Sequence, residues 1–165
     1  MRRLGIALAI LLVPAGASAN QPPWTWDVGA AAGLFSGIGV RAARRFPERI
    51  AVAFTAGYLD LDPEERGGLR TRGASLGTEV IIDLSGGEIV RWLALGGIGW
   101  LSARDTDPDQ DGQPDDYESL NLGTGVGMEV RWFRNLTLGL HLLLGIDLVA
   151  AKPTGSPEIT LGYGI

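Results

Sequence analysis

From Trp24 to the last residue, apolar and polar side chains alternate with a period of two, and no stretch of helical length holds a 3.6-residue repeat. The pattern predicts eight strands, at about 24–35, 37–46, 48–60, 68–84, 88–102, 117–133, 135–149 and 157–165. The seventh is the clearest. Its even positions, Leu136, Leu138, Leu140, Leu142, Leu144, Ile146 and Leu148, form an all-aliphatic face, and Thr137, Gly139, His141, Leu143, Gly145, Asp147 and Val149 form the other. The sixth strand sets Leu120, Leu122, Thr124, Val126, Met128, Val130 and Trp132 against Ser119, Asn121, Gly123, Gly125, Gly127, Glu129 and Arg131. The last sets Ile159, Leu161, Tyr163 and Ile165 against Thr160, Gly162 and Gly164.

Connections alternate in character. Phe46-Pro47-Glu48, Ser85-Gly86-Gly87 and Arg134-Asn135 read as tight turns, whereas Asp62 to Gly67, Arg104 to Asp116 and Ala151 to Pro157 read as longer polar loops. Short turns at one end and longer loops at the other are the layout of a membrane barrel, and an even strand number returns both termini to the short-turn end. The connection near Ser36-Gly37 is short and departs from this rule.

Period-two alternation fits a membrane barrel and a soluble ligand-binding barrel equally, so the less apolar face decides. That face is mostly Gly, Ala, Thr and Ser. A water-facing sheet would carry dense charge, yet the chain has one lysine, Lys152, which falls in a predicted loop. The aliphatic face therefore turns to lipid and the charges are confined to the interior. Reversing the register would push Glu79, Arg91, Glu129, Arg131, His141 and Asp147 into hydrocarbon together. At roughly 2–4 kcal/mol for a mid-depth Arg or Lys, and less for an acid, the sum would approach a domain's whole stability of about 5–15 kcal/mol.

The predicted interior gathers Asp27, Glu79, Asp83, Glu129 and Asp147 against Arg41, Arg45, Arg91 and Arg131, with His141. An eight-stranded barrel has room only for side chains, so these groups are expected to pair and close the lumen. Aromatics supply a separate sign. Trp24, Trp26, Phe46, Trp92, Trp132, Phe133 and Tyr163 fall near the short-turn ends, and Phe35, Tyr58, Trp100 and Tyr117 near the others, as interfacial girdles require.

The first residues read as a secretory leader: Arg2-Arg3, the apolar run Leu4 to Val13, and Ala17-Ser18-Ala19 before a cleavage point. The run is far shorter than the roughly 20 residues of a spanning helix. The expected organisation is a signal peptide over 1–19 and one barrel domain over 20–165, the product of a Gram-negative export route. Acidic residues outnumber basic ones, 19 to 14, and two of the arginines lie in the leader, which disfavours a nucleic-acid partner. With no cysteine, disulfides and thiol chemistry are excluded.

The stretch Ala32-Gly33-Leu34-Phe35-Ser36-Gly37-Ile38-Gly39-Val40, then Arg45-Phe46-Pro47-Glu48-Arg49 and Ala56-Gly57-Tyr58, resembles the start of small bacterial outer-membrane β-barrel proteins. The C-terminal strand is similar to the signal read by the barrel-insertion machinery, with Ile165 where the family's pattern has an aromatic residue. The resemblance implies an all-β, eight-stranded antiparallel up-and-down transmembrane barrel, monomeric, with outer-membrane lipids and the insertion machinery as its partners.

The sharpest chemical motif is the loop from Asp105 to Glu118. From Asp107 it follows the calcium-loop spacing D-x-D-x-D-G, making Asp107, Asp109, Asp111, Gln113 (through its carbonyl), Asp115 and Glu118 the candidate ligands. Gly112 permits the sharp turn that lets alternate carboxylates converge, and extracellular sites of this kind bind with Kd on the order of 10⁻⁴ to 10⁻³ M. No nucleotide fingerprint is present, since Gly123 to Gly127 lies inside a strand with no helix after it. No serine is placed by the sequence against His141 and Asp147. The functional expectation is a non-enzymatic integral membrane barrel with a closed lumen, in an envelope-structural or surface-interaction role. A lipid-modifying barrel enzyme, a narrow solute channel and a soluble periplasmic ligand-binding barrel are the alternatives.

Overall fold

The computed structural model describes residues 25–33, 36–47, 49–61, 71–86, 89–105, 115–132 and 135–165. The segment 1–19, expected to be a leader, lies outside them, as do Trp24, Phe35 and Phe133. Eight strands follow in order: β1 (Trp26–Gly33), β2 (Gly37–Arg45), β3 (Ile50–Leu61), β4 (Thr71–Gly86), β5 (Val90–Asp105), β6 (Asp115–Trp132), β7 (Leu136–Asp147) and β8 (Lys152–Gly164). Each pairs antiparallel with its neighbour in sequence, and β8 pairs back onto β1, so the sheet is a closed up-and-down barrel. Closure runs from Asp27 opposite Gly164 to Ala32 opposite Ile159. At the terminal end it is completed by a reciprocal pair, Trp26 N donating to Ile165 O and Ile165 N to Trp26 O.

The barrel has its apolar surface on the outside. Leu140, Leu142, Leu144 and Ile146 of β7 face outward, as do Ile38 and Val40 of β2, Phe54 and Tyr58 of β3, and Leu122 and Val126 of β6; Leu144 is 66% exposed. Inside, Ala43, Ala51, Ala53, Ile81, Leu93, Leu95 and Leu143 pack into one cluster, with Leu143 at 0% exposure. An exterior richer in large hydrophobes than the interior is stable against hydrocarbon and unstable in water. Trp26, Trp92, Trp132 and Tyr163 ring the outside at the end where the chain termini meet, and Tyr58 and Tyr117 stand near the other.

Glycine at inward positions makes room for larger interior groups. A Cβ at Gly127 or Gly139 would run into the His141 ring, and one at Gly162 into the Asp27 carboxylate.

Two expectations need correction. Of the long polar loop expected at 151–157, residues 152–157 are instead strand, and the β7–β8 connection is a short turn over 148–151. Asp147 Oδ1 accepts from the backbone N–H of Val149 (2.9 Å) and Ala150 (3.2 Å), and Ala151 takes a positive φ of 52° to complete the reversal. Pro153 and Pro157 are tolerated because β8 outreaches β1 here: its pairing with β1 stops at Ile159, so these residues owe that side no N–H bond. Lys152 accordingly begins β8 opposite Asp147 and is not a loop residue. The second correction concerns charge, which is not confined to the interior. Arg44 faces outward among the aromatics of the terminal end, and Arg72, Arg104, Asp116 and Glu118 do so at the opposite rim.

Leu142 sits near the middle of β7 on the outer face. Leu142→Arg is expected to lower the unfolding free energy in lipid vesicles by about 2–4 kcal/mol, and Leu148→Arg, near the strand end, by well under half of that. Denaturant titration of the refolded barrel reads both.

Candidate functional site

The interior charges fall into two groups at different depths. Nearer the terminal end, Glu129 of β6 stands directly opposite Arg91 of β5, and Arg91 Nη2 donates to Glu129 Oε1 at 2.7 Å. From across the lumen Arg45 Nη2 donates to Glu129 Oε2 at 2.8 Å and reaches Asp27 Oδ2 at 3.3 Å. Thr137 Oγ1 donates to that same Asp27 oxygen at 3.1 Å. Asp83 extends the chain of charges, its Oδ2 lying 3.8 Å from Arg91 Nη1, at the point where a bulge shifts the β4–β5 register. One carboxylate thus holds two guanidiniums that would otherwise repel each other, through short charge-assisted bonds. Arg131, on the inward positions of β6, belongs to this end as well. A recess of about 100 Å³ lies between Arg45, Phe46, Pro47, Arg49, Asp83 and Arg91.

The second group sits higher. Arg41 and Glu79 approach to 3.9 Å, and Glu158 is Glu79's other charged neighbour. Glu158, at 0% exposure, stands opposite His141 in the β7–β8 register, with His141 Nδ1 3.1 Å from its Oε1; Ser36 Oγ donates to its Oε2 at 2.8 Å. Sequence reading did not single out Glu158. The signal was present, because it falls inside the strand predicted over 157–165 and counting back by twos from Gly162 and Thr160 puts it on the inward face.

Asp147 is buried at the outer end, and its bonds cap the β7–β8 turn; among the described residues it joins none of the ion pairs. Ser119, Asn121 and Thr154 carry a neutral hydrogen-bonded chain nearby: Asn121 Nδ2 donates to Ser119 Oγ (2.7 Å) and Thr154 Oγ1 to Asn121 Oδ1 (3.4 Å).

Ser36, His141 and Glu158 bring together the residue types of a hydrolytic triad, but in an order that does not serve one. A nucleophilic serine must give its proton to the histidine. Here the serine donates to the carboxylate, which separates it from the imidazole, and all three are turned into the lumen.

Of the candidate calcium ligands, Asp107, Asp109, Asp111 and Gln113 lie outside the described residues, and Asp115 is described in its backbone, where it begins β6 opposite Asp105. Glu118 lies within β6 on an outward position, accepting from Trp100 Nε1 at 2.9 Å, with the Arg104–Asp116 pair (3.2 Å) one outward step beyond.

The fold recurs in solved structures. The N-terminal β-barrel domain of Pseudomonas aeruginosa OprF superposes with a TM-score of 0.61 at 13% identity, over 85% of this chain and 96% of that one. A major outer membrane protein from Thermus thermophilus gives 0.53 at 16% identity over 85% and 98%, and Ail, the attachment invasion locus protein of Yersinia pestis, 0.50 at 14% over 85% and 96%. No protein-family profile and no curated protein matches the chain. A closed eight-stranded barrel with a lipid-compatible exterior and this fold is an integral outer-membrane protein.

Glu129→Gln is expected to destabilise the barrel by about 3–5 kcal/mol, because it leaves Arg45 and Arg91 facing one another without their shared anion. Urea unfolding of the refolded protein reads the loss. Combining Glu129→Leu with Arg91→Met, which removes one of the guanidiniums too, is expected to restore part of it.

Proposed function

We propose that this protein is a non-enzymatic membrane barrel with a closed lumen, serving the outer membrane as a structural element or through its outer loops. The observation that carries this reading is the Arg45–Glu129–Arg91 bridge, which joins opposite walls at the terminal end, with the cluster around Leu93, Leu95 and Leu143 packed inside the same barrel. A solute would have to break charge-assisted bonds inside a low-dielectric wall and then displace packed aliphatic groups. The arrangement of Ser36, Glu158 and His141 gives no base in contact with a nucleophile, which supports a non-enzymatic role. Planar-bilayer recording of the refolded protein is expected to show no discrete conductance steps, and lipid A from cells producing it is expected to keep its mass. Reproducible unitary openings or an altered lipid A would overturn the reading.

The acidic loop gives this barrel its second expected property. Calcium would be held by Asp107, Asp109, Asp111, the Gln113 carbonyl and Asp115, with Glu118 at the strand edge, and would order the loop by drawing alternate carboxylates to one centre. The spacing around Gly112 supports it. Isothermal titration is expected to give Kd on the order of 10⁻⁴ to 10⁻³ M, with the heat abolished in Asp109→Asn/Asp111→Asn; absence of calcium heat in the unaltered protein would end this assignment.

A further inference from the structure

The wall of the barrel is not of even height. Between β8 and β3 it consists of the short β1–β2 hairpin, in which β1 ends at Gly33 and β2 begins at Gly37. β1 stops pairing with β8 at Ala32 opposite Ile159, and β2 stops pairing with β3 at Val40 opposite Ala56. The flanking strands run on, β8 to Lys152 against β7 and β3 to Leu61 against β4. The hairpin therefore leaves a notch at the outer end of the barrel, with β8 on one side and β3 on the other.

A cavity of about 460 Å³ lies in this notch, within the size range of small-molecule sites. Its lining crosses the wall. Ser75, Leu101, Ala103 and Ser156 occupy inward positions of their strands, whereas Ile38 and Pro157 occupy outward ones. The cavity thus passes over the hairpin from the lumen to the outer face. On that face Tyr58 stands opposite Ala74, another lining residue, which puts the mouth at the depth of the outer aromatic girdle.

Two kinds of occupant compete for such a notch. A strand could add to the bare edge of β8. The residues of β8 that turn their N–H to that edge share the parity of Ile165, which donates to β1, and Pro153 and Pro157 are among them. Between the two prolines only Gly155 has a donor to offer, and an edge so blocked resists pairing.

The lining describes a small molecule instead. Among the described residues none that lines the cavity is charged, and the Glu158 carboxylate stands directly behind Gly33, where a Cβ would run into it. An entering anion would meet negative charge and find no cation in the wall. Both serines spend their protons on the backbone: Ser75 Oγ donates to Ile38 O at 3.2 Å and Ser156 Oγ to Pro157 O at 2.8 Å. A hydroxyl has one proton and two lone pairs, so what these two present to a ligand is an acceptor.

We propose that the notch binds one neutral amphiphile, an aliphatic molecule whose hydroxyl donates to Ser75 or Ser156, taken up sideways from the outer leaflet over the β1–β2 hairpin. Its aliphatic body lies against Leu101, Ala103 and Ile38. The inference rests on the membrane placement of the barrel, and on neither the absence of conductance nor calcium.

The test is NMR of the refolded, methyl-protonated protein in nanodiscs of deuterated lipid, titrated with dodecanol, dodecane or, at alkaline pH, the dodecanoate anion. Dodecanol is expected to give saturable intermolecular NOEs to the Leu101 and Ala103 methyl groups. Dodecane is expected to give the same NOEs with about three- to tenfold weaker affinity, as loss of one hydrogen bond would, and dodecanoate none. Ser75→Ala/Ser156→Ala is expected to lower the affinity for dodecanol to that for dodecane and to leave dodecane unchanged. Ala103→Phe, which fills the cavity, is expected to abolish both. Heat-shifted gel migration establishes that each variant is folded, and the double serine variant decides the matter if Ala103→Phe does not fold. Absence of dodecanol NOEs at Leu101, dodecanoate bound as well as dodecanol, or unchanged dodecanol affinity in the double serine variant overturns the site. A dimer of the refolded protein that dodecanol dissociates would give the notch to a second copy and overturn the amphiphile as its occupant. Recovery of the protein in the soluble fraction of cells would overturn instead the membrane placement on which sideways uptake rests.

Discussion

Every structural choice in this chain answers to one constraint: in hydrocarbon there is no water to satisfy a backbone N–H or C=O, so the sheet must close. Closure depends on the β1–β8 seam, from Asp27 opposite Gly164 to Ala32 opposite Ile159, extended by the reciprocal bonds between Trp26 and Ile165. Without that seam two strands would present open edges to lipid. Its limit is also informative. Where β8 runs past the top of β1 the requirement lapses on that side, and there the chain places Pro153 and Pro157.

Closure with eight strands imposes the second condition, a lumen that side chains must fill. The chain fills it unevenly. Glycine and alanine at inward positions admit a few large polar groups, as Gly127 and Gly139 admit the His141 ring and Gly162 the Asp27 carboxylate. Those groups meet in two places: around Glu129, which holds Arg45 and Arg91, and around Glu158, which contacts His141 and Ser36. In a low-dielectric interior a charge is tolerated only when paired, so the same contacts that make the interior bearable also cross-link strands far apart in sequence.

The outer face obeys the bilayer's layering more than any rule of exclusion. At mid-depth it is aliphatic, and towards each end it admits charge beside aromatic rings: Arg44 with Trp26 and Phe46 at one, Glu118 with Trp100 and the Arg104–Asp116 pair at the other. Electrostatic cost falls steeply from midplane to interface. That gradient explains why a strict rule of charges inward is right for Glu129 and Arg91 and wrong for Arg44, whose parity along β2 is the same as that of Val40 and Ile38.

The sequence by itself determined the eight strands, the closed antiparallel fold and the face that meets lipid, because period-two alternation is a local property and a one-residue slip would expose several charges at once. It also determined which charged residues take inward positions, Asp27, Arg41, Glu79, Glu129 and His141 among them, since parity follows from register. Partners across the lumen were not legible. Which of several acids meets Arg45 depends on how residues from β1, β2 and β6 come to one depth, and no local pattern carries that. The start of β8 was hidden for a related reason: Pro153 and Pro157 argue against a strand in isolation, and only the tertiary structure, by leaving that stretch of β8 without a neighbour on the β1 side, removes the need for the N–H that a proline lacks.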